Sequence, residues 1–283
     1  MNLLSGPRMT MLAVSAVFTV MVALGLGVAA RELLWVRERP ALLVRGLVSV
    51  LVAVPLFAVA VVQLFHLPRW LEIGLLLMAI SPGAPVALRR SLGAGGHRSF
   101  APTLQLSVAV LAVIAVPAWV AILNRYYYGG QAWVGPGPVA RQVFIAQLLP
   151  LGSGIAFRHF APRRAERWEP RIMRLGGLLL LVFLVFAGVE LVSSVLRAGP
   201  QLVMASAVVT VLAITAGHLL GGPHGDTRTA LGIGSAARNP GLALMVATLN
   251  SAPPDVGYAI LAYLLVSALT LVPYVAWRRR STA

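Results

Sequence analysis

The sequence predicts an all-α integral membrane protein with nine transmembrane helices, two of them broken near their centres. Three observations lead there. Of the 283 residues 59% are hydrophobic and 11% charged, with a mean hydropathy of +0.86, whereas a soluble domain is about 25% charged. Apolar runs matching the ~20 residues of a bilayer crossing recur along the whole chain. Two of those runs, in opposite halves of the chain, are interrupted by Ser81-Pro82-Gly83 and Asn239-Pro240-Gly241. Proline removes a backbone donor and glycine loosens a helix. Unwound backbone at membrane depth persists only where protein buries it or it lines a polar cavity.

The runs lie at approximately 10–30, 41–65, 70–90, 101–124, 138–158, 173–196, 200–222, 228–248 and 256–277. The first has a competing reading. Met1–Ala30 carries a basic residue, a long apolar run and small residues at its end, as signal peptides do. That reading would leave Arg31, Arg37 and Arg39 outside, and the run is long for a signal peptide, so a span is expected. The second span contains Pro55 and leaves through Leu67-Pro68. The third holds the first break, with Glu72 at its outer mouth. Thr103, Gln105 and Ser107 begin the fourth span, placed to face the break at Pro82. The sixth carries Glu190 toward its outer end. His218 and His224 flank the inner end of the seventh, without a partner at metal-ligand spacing. The eighth contains Arg238 and the second break.

The net charge of +15 is not a nucleic-acid signal, because all 23 basic residues are arginines and most fall in short connections. With the N-terminus outside, Arg31, Arg37, Arg39, Arg89, Arg90 and Arg98 fall inside. So do the arginines between 158 and 174, Arg228 and the terminal Arg278–Arg280. Counting Arg45, the split is 17 inside and 5 outside, with Arg238 in the membrane, as the positive-inside rule requires. A multi-pass protein of the cell's inner (plasma) membrane, N-terminus outside and C-terminus cytoplasmic, is therefore expected. Trp70, Tyr126, Tyr127, Tyr128 and Trp133 near outer ends, and Trp35, Trp168, Tyr274 and Trp277 near inner ends, form the matching belts. The arginine-rich fifth-to-sixth connection reads as a topology signal, with anionic lipid a secondary partner.

The chain has no cysteine, which removes disulfides, thiolate metal sites and cysteine nucleophiles. There is no Gly-rich phosphate loop, serine elbow or carboxylate pair at catalytic spacing, and no loop long enough for a soluble domain. An enzyme is not expected.

Arg238 lies about 15 Å into its span at ~1.5 Å per residue, where an arginine costs roughly 2.5–3.5 kcal/mol. It must face the protein interior, water or a counter-ion. Three readings stay open: a contact for an anionic substrate, a fixed charge where relatives bind a cation, or an ion pair with Glu190 or Glu72. The breaks expose half-helix N-termini, whose unpaired N–H groups suit an anion. Candidate substrate-binding residues are therefore Ser81, Pro82, Gly83, Gln105, Arg238, Asn239, Pro240 and Gly241.

Two stretches resemble the bile acid:sodium symporter family and its wider superfamily of bile-acid, arsenite and riboflavin transporters. Pro55, Leu67-Pro68, Gly74 and Pro82-Gly83 resemble its proline-bearing helix, its Leu-Pro turn and its first Pro-Gly-broken helix. Ala230 to Ala243, ending Arg238-Asn239-Pro240-Gly241-Leu242-Ala243, resembles the second, whose usual form reads Glu-x-Gly-x-Gln-Asn-x-x-Leu-Ala. The resemblance implies inverted repeats with two crossed discontinuous helices, the first of ten helices being absent here. Residues 1–283 would form a single transporter domain. Panel helices at approximately 10–30, 138–158 and 173–196 would rock against core helices within 41–124 and 200–277.

The chain departs from the family at its ion ligands. The sodium-binding glutamate falls on Gly234 and the glutamine on Arg238. The Ser-Asn pair after the first Pro-Gly falls on Ala87 and Leu88, an upstream glutamine on Val50, and the hydroxyl ligands of the next span on Gln105 and Ala109. Sodium coupling is therefore expected to be lost or relocated, with Arg238 standing in for the cation's charge, and no cofactor is expected. The leading expectation is a secondary transporter of a small organic anion, a carboxylate or sulfonate. A sodium symporter with relocated ion sites, an auxin-efflux-like or antiporter-like relative, and a non-transporting sensor or scaffold remain as alternatives.

Overall fold

The computed structural model describes residues 7–28, 38–127 and 135–282, and every named element there is helical. Arg31, Trp35, Arg37, Tyr128 and Trp133 lie outside the described residues, as does the side chain of Glu190. We number the helices α1 (Pro7–Gly27), α2 (Pro40–Phe65), α3 (Arg69–Ile80), α4 (Pro85–Gly93), α5 (Phe100–Tyr127) and α6 (Pro136–Phe160). After these come α7 (Pro162–Leu220), α8 (Gly225–Ala236), α9 (Pro240–Leu249) and α10 (Asp255–Thr282). Among the described residues, five stretches are long and apolar enough to cross a membrane: Pro40–Phe65, Phe100–Tyr127, Pro136–Phe160, Val192–Leu220 and Asp255–Ser281.

Lateral surfaces follow from composition. Val44, Val48, Val52 and Leu56 form an exposed apolar stripe on α2, and Leu269 and Val272 are exposed on α10. A contiguous exposed apolar surface of this kind belongs against lipid. The short helices are different. Every residue from Leu71 to Ile80 of α3 is buried, as is every residue from Gly241 to Ala247 of α9. A helix that is apolar all round sits at the centre of the molecule.

Helix α1 buries Ala13, Ala16, Val17, Val20, Met21 and Leu24, the i, i+3, i+4 spacing of one helix face. It packs on α6 and α7 and touches α9. The contact with α6 is close because glycines meet: a methyl at Gly25 would overlap Leu151 O, and one at Gly154 would overlap Val22 O. Small residues let helix backbones approach in this way.

One connection differs from the sequence expectation. The arginine-rich stretch between the fifth and sixth spans is helical, and Ala161 alone separates α6 from α7. Arginine is a good helix former, so topology-setting charges extend the helix. Within α7, Gly199 leaves helical geometry at a φ of 71° and a ψ of 174° and divides it into two arms, with Pro200 beginning the second, at the gap expected between the sixth and seventh spans. Helices α3, α4 and α5 have 12, 9 and 28 residues and α8, α9 and α10 have 12, 10 and 28. The two halves thus carry the same short–short–long series.

Candidate functional site

The breaks meet. Helix α3 ends at Ile80 and α8 at Ala236, and beyond them Pro82 and Arg238 form an antiparallel bridge. The Asn239 N–H donates to Ser81 O at 2.9 Å. The second break lies slightly earlier than the Pro-Gly pair suggests. Pro240 is the first helical residue of α9, and Asn239 caps it by accepting from the Leu242 N–H at 3.1 Å. Proline suits that first position because its missing N–H would go unbonded anyway. The unwound residues are therefore Ala237 to Asn239. Gly241 serves packing instead: a methyl there would lie 2.6 Å from Val17 Cγ2 of α1. Gly83 remains in the first break at a φ of +82°, where glycine avoids strain.

Arg238 is 3% exposed. Its guanidinium donates to Val50 O at 3.1 Å, to Ala79 O at 3.0 Å and to Ser235 O at 2.5 Å. Its partners are carbonyls of three helices. Glu72, one of the two carboxylates considered for it, instead pairs with Arg69 at 3.5 Å. The Val50 carbonyl is available for a backbone reason. Residues Ser49–Ala53 form a π-turn in which the Val54 N–H bonds Ser49 O, and Pro55 has no N–H to offer. The same proline orphans Leu51 O, which accepts from Trp119 Nε1 at 2.7 Å.

Beside the crossing is a cavity of about 320 Å³. Its walls are mostly apolar, including Val17 of α1, Phe183 of α7 and Leu264 of α10. The N-terminal ends of both second half-helices reach it, through Ala84 and Ala87 at α4 and Asn239, Pro240 and Gly241 at α9. Arg90, which is exposed, and Arg238, which is buried, are also in the lining. Asn239 is fully buried, and its Nδ2 has no hydrogen-bond partner among the described residues.

A second group of residues lies around Gly83. A methyl there would sit 3.6 Å from Gln105 Nε2 and 3.8 Å from Gln147 Oε1, and neither atom has a partner among the described residues. Gln105 thus does face the first break. Gln147, in the π-turn Phe144–Leu148 of α6, was not singled out from sequence, although an amide inside an apolar span was the available signal. Ser81 Oγ is likewise buried and unpaired among the described residues. Gln105 also borders a cavity of about 140 Å³ that Glu169 reaches from the start of α7. Burial pushes the Glu169 carboxyl above the usual carboxylate range, with Arg89 and Arg158 opposing.

Five of the seven positions onto which the sodium ligands fall come together here. Val50, Ala87, Leu88, Gln105 and Gly234 all line one void of about 10 Å³, the room of about one water. Of these side chains only Gln105 offers an oxygen. Ser91 also lines the void, its Oγ buried and without a partner among the described residues, so two side-chain oxygens border it.

A sequence profile of the sodium bile acid symporter family matches residues 14–198. The chain belongs to the sodium bile acid symporter family. It is accordingly a multi-pass membrane protein with a membrane-transporter fold, from a family of transporters rather than enzymes. No individual curated protein matches the chain. The family match includes α1 and the first broken helix and stops before α8 and α9. Arg238 and the second break therefore lie outside the matched stretch.

Proposed function

We propose that this protein is a secondary transporter that moves a small organic anion by alternating access, without sodium as an obligatory partner. The observation that carries the reading is the 320 Å³ cavity, onto which two half-helix N-termini and Arg90 converge within mostly apolar walls. A helix N-terminus carries about half a positive charge, and discontinuous helices aim such ends at anionic groups in transporters. The substrate is a carboxylate or sulfonate with an apolar body. Asn239, Pro240 and Gly241 bind its headgroup, Arg90 completes the charge, and Arg238, in the same cavity wall, holds the crossing in shape. Ser81, Pro82, Gly83 and Gln105 line its passage on the opposite face.

In this reading nine spans form two inverted repeats, for which the matched helix lengths in the two halves are the support. A panel of α1, α6 and the first arm of α7 rocks against the remaining helices. The bilayer is the cell's inner membrane, with the N-terminus outside.

Uptake into proteoliposomes of a series of aryl and alkyl carboxylates and sulfonates tests this. We expect saturable uptake of at least one compound, equal in sodium, potassium or choline medium. Arg90→Gln should weaken its apparent affinity about tenfold or more, the size of a lost charge-assisted hydrogen bond of ~1.5–3 kcal/mol. A steep, saturable dependence on sodium would overturn the uncoupled reading. Anion binding without flux would favour a sensor.

A further inference from the structure

We propose that the crossing is a carbonyl cage for one positive charge, with Arg238 as its tethered occupant, and that a free guanidinium ion binds there once the side chain is removed. The cage is built from backbone that has lost its own donors, each carbonyl for a separate reason. Val50 O is orphaned by the π-turn and Pro55. Ser235 O would ordinarily accept from the Asn239 N–H, but that donor is committed to Ser81 O. Ala79 O lies one residue from the end of α3, where the last four carbonyls of a helix lack partners.

The charge balance points the same way. Helices α3 and α8 both end at the crossing, and each C-terminus carries about half a negative charge. Two such ends sum to roughly one elementary charge, which a single guanidinium neutralises. Three of its N–H groups are aimed at these carbonyls, on α2, α3 and α8. Among the described residues no carboxylate pairs with it. These three bonds fix the orientation of the guanidinium, while its Nε–H is left without a partner among the described residues. Arg238 is thus a positioning residue that ties the two breaks together, at the wall of the cavity that the half-helix N-termini also reach.

Only the transport arm of the test rests on the proposed function; the binding arm needs no substrate. Thermal melting of the purified full-length chain is compared for the wild type and Arg238→Ala. Low-millimolar guanidinium or methylguanidinium is added at constant ionic strength, with tetramethylammonium as the control. Arg238→Ala should melt lower than wild type and regain several degrees, saturably, with guanidinium and not with tetramethylammonium. Wild type should not respond. Equal response of both proteins, or none in the variant, overturns the proposal.

Should Arg238→Ala fail to fold, Arg238→Lys and Arg238→Gln decide the matter. A cage for charge leaves Lys the more stable of the two, and Gln at or above Lys overturns it. Where anion flux is measurable, guanidinium should restore it to Arg238→Ala. Guanidinium-dependent melting in a protein that moves no anion would keep the cage and defeat the transporter reading.

Discussion

Pro55 has no N–H, so the carbonyls about one helical turn before it must find donors elsewhere. Leu51 O takes the indole of Trp119, and Val50 O takes Arg238. Leaving a buried carbonyl unpaired costs about 1–3 kcal/mol, which sets the expected loss for Trp119→Phe. Pro55→Ala returns an N–H to the reach of Leu51 O. The double variant should therefore lose less than the sum of the singles, with a coupling of about 0.5 kcal/mol or more. Chemical denaturation of the four proteins measures it, and strict additivity would separate Trp119 from Pro55. At this scale the sequence was legible as cost. A buried arginine must be neutralised, so Arg238 stood out at once. Its partners did not, because a proline inside an apolar run does not reveal whether the helix kinks or widens into a π-turn. Only that register decides which carbonyl is free.

Between helices, glycine positions separate contacts from open surface. Gly25 faces the α6 backbone, where a methyl would collide with Leu151 O, whereas nothing lies within 4 Å of a methyl on Gly152. Gly25→Ala should therefore destabilise by about 1–3 kcal/mol through overpacking. Gly152→Ala should be neutral or stabilise by about 0.5–1 kcal/mol, since alanine is the better helix former. Comparable melting temperatures for the two would mean that α1 and α6 do not pack through these glycines. Long apolar runs are readable because a bilayer needs a fixed length of them. Which glycine loosens a helix and which admits a neighbour is not, since both occur in the same apolar context. Gly241 shows the difficulty: it sits beside a proline, in helical backbone, and its absent side chain makes room for Val17.

Over the whole molecule, the arginine asymmetry predicts which ends face the cytoplasm. The chain contains no cysteine, so single cysteines report without background. Tyr126, 75% exposed at the end of α5, lies on the predicted outer side, and Ser281, near the end of α10, on the inner. An impermeant maleimide should label Tyr126→Cys in intact cells and Ser281→Cys only after permeabilisation. The reverse pattern would invert the orientation. The broken helices could be read from Pro-Gly pairs in both halves. The rest of the cavity beside them could not, because its other walls are mostly alanines, valines, leucines and a phenylalanine that are individually indistinguishable from packing residues.

The hydrogen bond from Asn239 to Ser81 also bears on how the chain is made. In chain order the first break precedes its partner, so it is translated first. Until α8 and α9 arrive, Ser81 O and the carbonyls at the end of α3 sit in lipid without their eventual donors, a state worth several kcal/mol per unsatisfied group. Neither half completes its own backbone. The amino-terminal half made alone should therefore be a substrate for membrane quality control, and co-expression of the other half should rescue it.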